Sequence, residues 1–417
     1  MKTYDIAIVG AGPAGAVAAY AASKLGLDNI LIEKKFKGRD KFCGGGISYG
    51  ALEFLTRNVS KEIYETADIY SDGYVAVSPK GRILCASLKK YSGILVRRKI
   101  FDAKLMELAE SMGSKFVEKT KIVQIRKDDD LIVLISAKGE EIRARYIVLA
   151  TGVNDTLSLQ VGLPKFRVNQ LGHCWGTEDA FPVDEHSKIW NTKYGLQKPI
   201  FLIFGPIKSG YGWFFPKNGY INIGIGTTLE ESKNHKVIFQ ELLSKAFELG
   251  ILKNRYIFKV DRSYLIPFGD LPRDRFVSIG FRTVAVGDAA GFVHPVTGEG
   301  IYGAVVSGWI ASYIIKDALD KDDPNKLLQY EKSCMESFGE DMFIYGKKLA
   351  KLLYLSPTVL EVGFRGLMED EKAVDLLTRL LAHAEHNINK KMYNYMIRHI
   401  PALAVKALSA REKVLYL

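Results

Sequence analysis

The chain has 417 residues, of which 47% are hydrophobic and 25% charged; this indicates a folded protein of more than one domain and excludes a disordered one. The formal net charge is +11 at pH 7, but no run of five or more like charges marks a binding arm, so nucleic acid is not an expected partner. The four cysteines (Cys43, Cys85, Cys174 and Cys334) are scattered, which fits neither a disulfide framework nor a metal site and favours a reducing compartment.

The beginning of the chain has the pattern of a strand–helix–strand unit that binds a dinucleotide. Tyr4–Val9 is a short apolar run that predicts a buried strand, the alanine-rich Ala14–Leu25 predicts a helix, and Asn29–Ile32 predicts a second strand. A G-x-G-x-x-G turn at Gly10–Gly15 joins the first strand to the helix, and its glycines allow a pyrophosphate to approach the backbone. The free N–H groups at the start of the helix then face the phosphate.

Glu33, directly after the second predicted strand, narrows the choice of dinucleotide. It lies 23 residues after Gly10, at the distance where an acid accepts hydrogen bonds from the ribose hydroxyls of an adenosine. A carboxylate there disfavours a 2′-phosphate, so NADP is not expected, and NAD and FAD remain. The residues expected to bind this part of the cofactor are Gly10, Gly12, Ala14, Gly15, Glu33 and Lys34.

Three consecutive glycines, Gly44, Gly45 and Gly46, follow Cys43. Such a run loses much backbone entropy on folding, which indicates that another group approaches this backbone closely. The thiol of Cys43 is either a buried structural group or a group that takes part in chemistry, as a proton donor or by tuning access to the cofactor.

The middle of the chain carries two kinds of apolar pattern. Residues 66–95 and 165–280 contain alternating apolar segments that predict a mostly antiparallel sheet. The segment RYIVLATG at 145–152 predicts another strand of the dinucleotide-binding sheet, with Gly152 where the backbone passes the cofactor. The aromatic stretch YGWFFPKNGYINIGIG at 211–226 is either an ordinary half-buried strand or a substrate-lining one.

The stretch at 282–309 decides between NAD and FAD. Thr283–Val286 predicts a strand that runs into Gly287 and Asp288, and an Asp at a strand end can bind a chain of hydroxyl groups. A second helix follows, and its N-terminal dipole favours negative charge on a reduced flavin. The longer FAD needs such a distant second element and NAD does not, so the sequence predicts FAD. The residues expected to bind FAD here are Gly287, Asp288, Pro295, Gly298, Gly300 and Ile301.

We interpret four polar residues near these motifs as structural. His173 and Cys174 show no metal-ligand spacing and are expected in the core. We interpret His294 as a packed loop residue and Glu299 as a structural group at the start of the second helix. No metal site is expected.

From about residue 331 the apolar spacing becomes helical. Three interpretations remain open for this tail: a packed helical cap, a domain that closes a substrate tunnel, and an amphipathic surface that docks on anionic membranes. The uncharged stretch Gly300–Ile315 is shorter than the roughly 18 residues of a membrane span, and no targeting segment precedes the first strand. The expected location is therefore cytoplasmic, with peripheral membrane contact left open. The lysines interleaved with apolar residues here are Lys347, Lys348, Lys351, Lys390 and Lys391.

Three motifs together resemble the flavoprotein superfamily that includes para-hydroxybenzoate hydroxylase and the geranylgeranyl reductases. These motifs are Gly10–Gly15 with Glu33, the sequence Arg98-x-x-Phe101-Asp102, and Gly287 through Gly300. The resemblance covers about residues 1–330 and implies FAD as the cofactor. It also implies that Arg98 lies near the phosphates or the ribityl chain of FAD, although a solvated charge at a helix start and a role for the adjacent Arg97 remain alternatives.

Two further stretches resemble the geranylgeranyl reductase family within that superfamily. One is the Cys43–Gly46 segment, and the other is the Y-x-W-x-F-P…G-x-G pattern of the stretch at 211–226. The resemblance implies catalytic roles for Cys43, Gly44, Gly45, Tyr211 and Trp213. It implies an apolar substrate tunnel formed by Tyr211, Trp213, Phe215, Pro216 and Gly224, with Gly226 completing the motif.

The resemblance implies a fold and an activity. The expected fold class is α/β (α+β): a Rossmann-like FAD-binding domain (1–65, 96–164 and 281–330) interleaved with a mostly antiparallel substrate domain (66–95 and 165–280), followed by a helical region (331–417). The expected activity is FAD-dependent saturation of geranylgeranyl chains, with an archaeal-type glycerophospholipid as the first choice of substrate and a menaquinone side chain or a chlorophyll precursor as others. The alternatives are an aromatic monooxygenase and an electron-transfer flavoprotein that acts on quinone. No second nucleotide motif identifies the electron donor, so NAD(P)H, ferredoxin and deazaflavin remain open.

Overall fold

The computed structural model describes residues 2–87, 93–409 and 415–416, with only the backbone at 400–409 and 415–416. The strands are β1 (Thr3–Val9), β2 (Asn29–Ile32), β3 (Gly46–Ile47), β4 (Ala67–Tyr70), β5 (Gly73–Val77), β6 (Ile83–Ser87), β7 (Ile94–Val96), β8 (Lys115–Val117), β9 (Ile122–Asp128), β10 (Leu131–Ser136), β11 (Glu141–Leu149), β12 (Gly172–Ala180), β13 (Ile200–Ile203), β14 (Gly210–Lys217), β15 (Tyr220–Thr228), β16 (Arg262–Ile266), β17 (Val277–Ser278), β18 (Thr283–Ala285) and β19 (Leu415–Tyr416). The α-helices are α1 (Pro13–Lys24), α2 (Tyr49–Asn58), α3 (Arg98–Ser111), α4 (Leu157–Gln160), α5 (Val183–Tyr194), α6 (His235–Glu248), α7 (Ile301–Asp320), α8 (Gln329–Cys334), α9 (Gly346–Leu353), α10 (Pro357–Met368), α11 (Glu371–Ala382) and α12 (Ile388–Ser409). A π-helical segment, Met335–Tyr345, connects α8 to α9.

The first sheet has a parallel core in the order β18-β11-β1-β2-β8. Three antiparallel strands extend it, because β17 pairs with β18, β10 with β11, and β9 with β10. The carboxyl ends of β1, β2, β11 and β18 therefore meet at one edge of the sheet, which is where open α/β sheets bind ligands. The Gly10 turn, Glu33, Gly152 and Asp288 each follow one of these strands.

The second sheet runs in the order β16-β12-β15-β14-β13-β5-β6-β19. Its pairs are antiparallel except β13 with β5 and β6 with β19. Helices α5 and α6 contribute buried side chains to the core on this sheet, among them Trp190 and Leu242. A third, small sheet of β3, β7 and β4 lies beside it and holds the end of the glycine run.

Helices α1 and α7 pack very closely, and this contact positions the dinucleotide-binding turn. Helix α1 is rich in alanine and buried from Pro13 to Ala22. A side chain at Gly308 of α7 would collide with the carbonyl oxygen of Ala14, so the helices touch through their backbones. The hydroxyl of Ser312 also donates a 2.8 Å hydrogen bond to the Ala18 carbonyl oxygen across the interface.

From Gln329 to Ser409 the chain is mainly helical, as its apolar spacing predicts. Helices α10, α11 and α12 form an apolar cluster with side chains of β5 and β6, including Ala76 and Leu84. Helix α11 ends at Ala382 and is capped by His383, which lies in the left-handed region with a φ of 48°. His383 lies against the start of α7, where its side chain faces that of Glu299.

The predicted fold class is confirmed: a Rossmann-like parallel sheet, a mostly antiparallel sheet and a helical C-terminal part. The division into the three proposed domains stays a prediction, and its ranges 66–95 and 331–417 include positions outside the described residues. Within the described residues, none of the helices is both long enough and apolar enough to cross a bilayer. No group of three His, Cys, Asp or Glu side chains in the described part of the chain could hold a metal ion.

Candidate active site

One cavity of about 850 Å³ connects the carboxyl edge of the first sheet to one face of the second sheet. The predicted site residues that line it are Gly10, Gly12, Ala14, Glu33, Lys34, Cys43, Gly44, Gly45, Arg98, Gly152, Tyr211, Trp213, Phe215, Asp288, Gly298, Gly300 and Ile301. The fold thus brings the Gly10 turn, the segment from Asp288 to Ile301 and the aromatic stretch to a single site.

Five predicted residues do not line the cavity. Gly15 and Gly287 are packing positions: a side chain at Gly15 would collide with the Gly10 carbonyl oxygen, and one at Gly287 would lie 3.0 Å from the Ala14 Cβ. Gly224 lies beneath the indole ring of Trp213, which fills the space that a side chain would need. The remaining two, Pro216 and Pro295, are buried or half-buried beside the cavity without facing it.

The Gly10 turn lines the cavity and packs tightly against the loop after β11. Gly10 has a φ of 103°, which favours glycine, and a side chain there would collide with the Ala150 carbonyl oxygen of the loop after β11. Helix α1 starts after Gly12 without a side-chain cap and with Pro13 as its first residue. Its first-turn N–H groups are therefore left for a ligand, and the dipole adds a partial positive charge.

Glu33 is buried at the end of β2 and braces this turn. Its Oε2 accepts a 3.1 Å hydrogen bond from the Ala11 N–H, and its Oε1 accepts one of 2.9 Å from the Lys35 N–H. The Nε of Arg39 lies 3.3 Å from the same Oε2. The carboxylate is therefore fixed where the cavity borders the turn.

Two arginines lie beside the turn and share one carboxylate. Arg98 is buried and donates to both oxygens of Asp102, at 2.8 and 2.9 Å. Burial opposes the charge of Arg98, but Asp102 and the nearby Cys43 more than offset it and raise the pKa of the guanidinium. Arg39 Nη1 lies 3.1 Å from the second oxygen of Asp102. Sequence analysis predicted Arg98 and missed Arg39, whose position depends on the loop after β2 and not on a local pattern.

The glycine run owes its composition mainly to protein neighbours. Gly45 has a φ of 71°, and a side chain there would collide with the Val96 carbonyl oxygen and come within 2.6 Å of the Nζ of Lys217. A side chain at Gly44 would lie 2.7 Å from the ring of Phe215. The close approach that the glycine run predicts is therefore made at least in part by groups of the protein itself, on β7 and β14.

The Asn222 side chain attaches this loop to the aromatic strand. Its Nδ2 donates to the carbonyl oxygen of Cys43 at 3.1 Å and to Glu178 Oε1 at 2.8 Å. Its Oδ1 accepts a 2.6 Å hydrogen bond from the indole N–H of Trp213. The Cys43 sulfur accepts a 3.4 Å hydrogen bond from the Gly45 N–H.

Tyr211, Trp213 and Phe215 alternate along β14 and point to the same face, into the cavity. The Tyr211 hydroxyl donates to the carbonyl oxygen of Thr297, which ties β14 to the loop before α7. Cys174, expected in the core, instead lines the cavity, two strands from Tyr211 across β15. The pairing of β12, β15 and β14 places Cys174 on the same face of the sheet as Tyr211, and the local sequence does not indicate this pairing.

A buried lysine lies behind the glycine run. Lys217 ends β14, is fully buried, and donates a 2.8 Å hydrogen bond from Nζ to the Val96 carbonyl oxygen. Burial lowers the pKa of its ammonium to about 8, and Cys43 and Glu178 offset this only in part. Cys43 therefore lies between two buried cations, Lys217 and Arg98.

The loop before α7 is organised by His294, as its interpretation as a packed residue predicted. The Nδ1 of this buried ring accepts hydrogen bonds from the N–H groups of Val296 and Thr297, at 3.1 and 3.2 Å. Its Nε2 lies 3.0 Å from Asn389 Oδ1, so the ring is neutral and carries its proton there. Burial and the neighbouring His383 lower the pKa of His294 well below its usual value.

The N-terminus of α7 was expected to face a flavin, but the Glu299 side chain occupies one of its free N–H groups. Its Oε1 accepts a 2.8 Å hydrogen bond from the Tyr302 N–H in the first turn of α7. Asp288, on the other side of this loop, is paired with Lys41 Nζ at 3.1 Å. The ammonium of Lys41 also lies 4.3 Å from the centre of the Tyr264 ring. Neither Lys41 nor Tyr264 was singled out in the sequence.

The residues present fit FAD. At Gly12, which lines the cavity, an added side chain would meet only the Arg39 guanidinium, at 3.6 Å, so glycine leaves this space free for a ligand. The uncapped start of α1 supplies N–H donors for a pyrophosphate. The buried Glu33 is an acceptor for ribose hydroxyls, and Arg39 and Arg98 supply positive charge. Asp288 stands at the far end as an acceptor for the hydroxyls of a ribityl chain.

Glu33→Ala should weaken FAD binding, both by removing hydrogen bonds to the ribose hydroxyls and by removing the contacts that brace the Gly10 turn. Each lost charge-assisted hydrogen bond costs about 1.5–3 kcal/mol, so Kd should rise roughly 10- to 150-fold. The measurement is titration of the apoprotein with FAD, followed by flavin fluorescence. Glu118→Ala is the matched control, because Glu118 also accepts a backbone hydrogen bond from this loop, from Lys37, but lies outside the cavity. Equal affinity in the Glu33 variant and the wild type would contradict the ribose assignment.

Comparison with known proteins supports FAD as the cofactor. The model of the FAD binding domain family matches residues 3–339. The digeranylgeranylglycerophospholipid reductase of Methanococcus vannielii is 32% identical over 340 residues, which cover 79% of this chain and 82% of that protein. The enzyme of the same name from Methanocaldococcus jannaschii is 29% identical and covers 89% of this chain and 93% of its own length.

A solved structure from Thermoplasma acidophilum, described as geranylgeranyl bacteriochlorophyll reductase-like, has the same fold. It superimposes with a TM-score of 0.76 at 23% identity, over 97% of this chain and all of that one. The chain therefore belongs to the FAD binding domain family of flavoproteins, in the group of the digeranylgeranylglycerophospholipid reductases.

Proposed function

We propose that this FAD-dependent oxidoreductase saturates the C=C bonds of geranylgeranyl chains, with a glycerophospholipid as the substrate. The observation that supports this most strongly is the single cavity, which has dinucleotide-binding residues at one end and an aromatic, apolar face at the other. The names of the relatives point to the same class of substrate.

Saturation of an isolated C=C bond adds a hydride to one carbon and a proton to the other, and no carbonyl is present to take up charge. When bound and reduced, FAD supplies the hydride. The protein must hold the alkene, exclude water and provide the proton. Large, rigid aromatic rings suit the first two tasks, and their faces stabilise positive charge that develops on carbon.

The roles of the chain's residues follow from their positions. Tyr211, Trp213 and Phe215 form the wall against which a polyprenyl chain packs. Gly224 makes room for Trp213, and Pro216 continues the strand behind this wall. Cys43, Gly44 and Gly45 line the cavity near Arg98 and the aromatic wall, and the Cys43 thiol is the group there that would donate the proton.

The proposal requires two partners. One is an electron donor, for which NAD(P)H, a ferredoxin and a deazaflavin are the candidates. The other is a membrane, which holds the lipid and would be contacted from the surface. Exposed apolar side chains at the start of α10 support such contact: Leu355, Val359 and Val362 are 65%, 40% and 44% exposed, and they follow the lysines of α9.

The function is tested by incubating dithionite-reduced enzyme with a digeranylgeranyl glycerophospholipid without oxygen. We expect mass spectrometry to show the lipid gaining two hydrogens at a time, because each turnover saturates one bond. Free geranylgeraniol and a menaquinone serve as competing substrates. Faster reduction of either would replace the phospholipid in the proposal. Oxygen-dependent formation of a hydroxylated product, with no saturated lipid, would support a monooxygenase instead.

Tyr211→Ala and Trp213→Ala should lower lipid reduction by about 10²-fold while the bound flavin keeps its spectrum, because a displaced alkene reacts poorly. Tyr211→Phe should retain most of the activity, since it keeps the ring and loses only the hydrogen bond to Thr297. The control is Tyr220→Ala, which removes a ring on the neighbouring strand outside the cavity. Loss of flavin from the Tyr211 and Trp213 variants would place these rings in cofactor binding or general packing.

Cys43→Ala should bind FAD and accept electrons from dithionite like the wild type, but should be reoxidised slowly by lipid. Loss of a general acid typically slows a step by about 10²–10⁴-fold, and Cys43→Ser should recover only part of that. Stopped-flow absorbance under nitrogen measures the rate. A near-normal rate in Cys43→Ala would show that the thiol only fills space.

A further inference from the structure

Two buried polar atoms face each other without a hydrogen-bond partner at the start of α7. They are Oε2 of Glu299 and Nε2 of His383, which are 3.7 Å apart. Buried polar groups are normally paired, and each unpaired one costs about 1–3 kcal/mol, so two in contact call for an explanation. The two side chains are 13% and 5% exposed.

The pair separates two cavities. Glu299 lines the main cavity, next to Gly298 and Gly300. His383 lines a second cavity of about 210 Å³, large enough for several water molecules. The rim of this second cavity includes Glu53 and Arg57, whose side chains are 45% and 74% exposed, so it reaches the surface.

The chemistry of the pair suits proton transfer near neutral pH. Burial raises the pKa of Glu299 to about 7, against the opposing effect of the N–H groups of Tyr302 and Ile301. Burial lowers the pKa of His383 to about 4, so its imidazole is neutral at pH 7 and can accept and pass on a proton. The other titratable groups that face the pair are Asp288, Tyr74, Tyr302 and His294.

The other ionisable groups of this region are already engaged. Asp288 is paired with Lys41, and both ring nitrogens of His294 have partners. The Tyr211 hydroxyl donates to a carbonyl oxygen, and burial raises its pKa well above the usual value. Among the described residues around these two cavities, Glu299 Oε2 and His383 Nε2 are buried proton-binding nitrogen or oxygen atoms of acid and imidazole groups that lack a hydrogen-bond partner.

We propose that Glu299 and His383 form a proton relay that carries the proton of each reduction from water in the second cavity into the main cavity. The proposal rests on the proposed function. In each cycle, the Cys43 thiol gives its proton to one alkene carbon while the hydride ends on the other, and Glu299 releases its proton into the main cavity to replace the one that the thiol lost. His383 then passes a proton from Nε2 to Oε2 of Glu299 and takes up another from water in the second cavity. The hydroxide left there is neutralised by bulk solvent, with which the cavity connects, and the starting state is restored. One water-derived proton is consumed for each bond saturated.

The relay is tested first without substrate, by infrared spectroscopy of the FAD-loaded protein. At about pH 6 ordinary carboxyl groups are ionised, so a protonated Glu299 should contribute a carboxylic acid C=O band. The band should disappear as the pH rises through about 7 and should be absent in Glu299→Gln. Gln keeps an oxygen that accepts the Tyr302 hydrogen bond, so the variant should fold. Absence of a Glu299-dependent band in the wild type would overturn the relay.

The second arm measures repeated lipid reduction with excess dithionite. Wild-type turnover should fall as the pH rises above about 7, because Glu299 loses its proton. Glu299→Gln and His383→Asn should each slow it by about 10²-fold or more and remove this pH dependence. Asn suits the left-handed backbone of residue 383, where φ is 48°.

The matched control is Glu53→Gln, which makes the same change of carboxylate to amide at the rim of the second cavity and should keep the wild-type rate and band. Wild-type rates in Glu299→Gln or His383→Asn would overturn the relay and leave the proposed function standing. Failure of the wild type to reduce any polyprenyl lipid would instead overturn the proposed function, and this role of the pair with it.

Discussion

The hydrogen bonds of Asn222 hold together the part of the cavity where substrate is expected. This fully buried amide joins the Cys43 carbonyl, the Trp213 indole and Glu178, and both its oxygen and its Nδ2 group are used. The glycine run has no side chains of its own to hold it, so its position depends on such backbone contacts. A buried network with all its members satisfied is stiff, since any displacement leaves a polar group unpaired. The loop and the aromatic wall therefore act as one unit.

The two ends of the cavity differ in their electrostatics. At the dinucleotide end, Glu33, Arg39, Arg98 and Asp102 form a chain of buried charges in which each partner neutralises the next. A charged ligand can enter such a network because fixed opposite charges replace its hydration. The aromatic end has few charges, and burial there favours neutral forms, as with Glu299. A buried carboxyl that stays protonated near pH 7 is expected where an apolar substrate excludes water but a proton is still required.

Much of the fold could be predicted from local patterns, because strands, glycine turns and helix starts are determined by neighbouring residues. The strand at Asn29–Ile32 agrees with its prediction, and β1 and α1 agree to within one residue at each end. The long-range contacts could not be predicted. Glu299 does cap the helix, as interpreted, but its second oxygen faces His383, which is 84 residues away and belongs to a different apolar pattern. The residues around Glu299 and those around His383 contain no pattern that would predict this contact.

The run of glycines after Cys43 correctly predicts that other groups approach the backbone, but it does not identify these groups. Its composition does indicate close approach, but the groups that approach Gly44 and Gly45 include the Phe215 ring, the Val96 carbonyl and the Lys217 ammonium. Alanine at either position would disturb these protein contacts first, so lost activity there would not identify a flavin or substrate contact. Cys43→Ala adds no atom that would collide with this backbone and removes only the long hydrogen bond from the Gly45 N–H to the sulfur. Substitutions of side chains that face the cavity can therefore test the chemistry of this site without disturbing the fold of the loop. Substitutions of the glycines cannot.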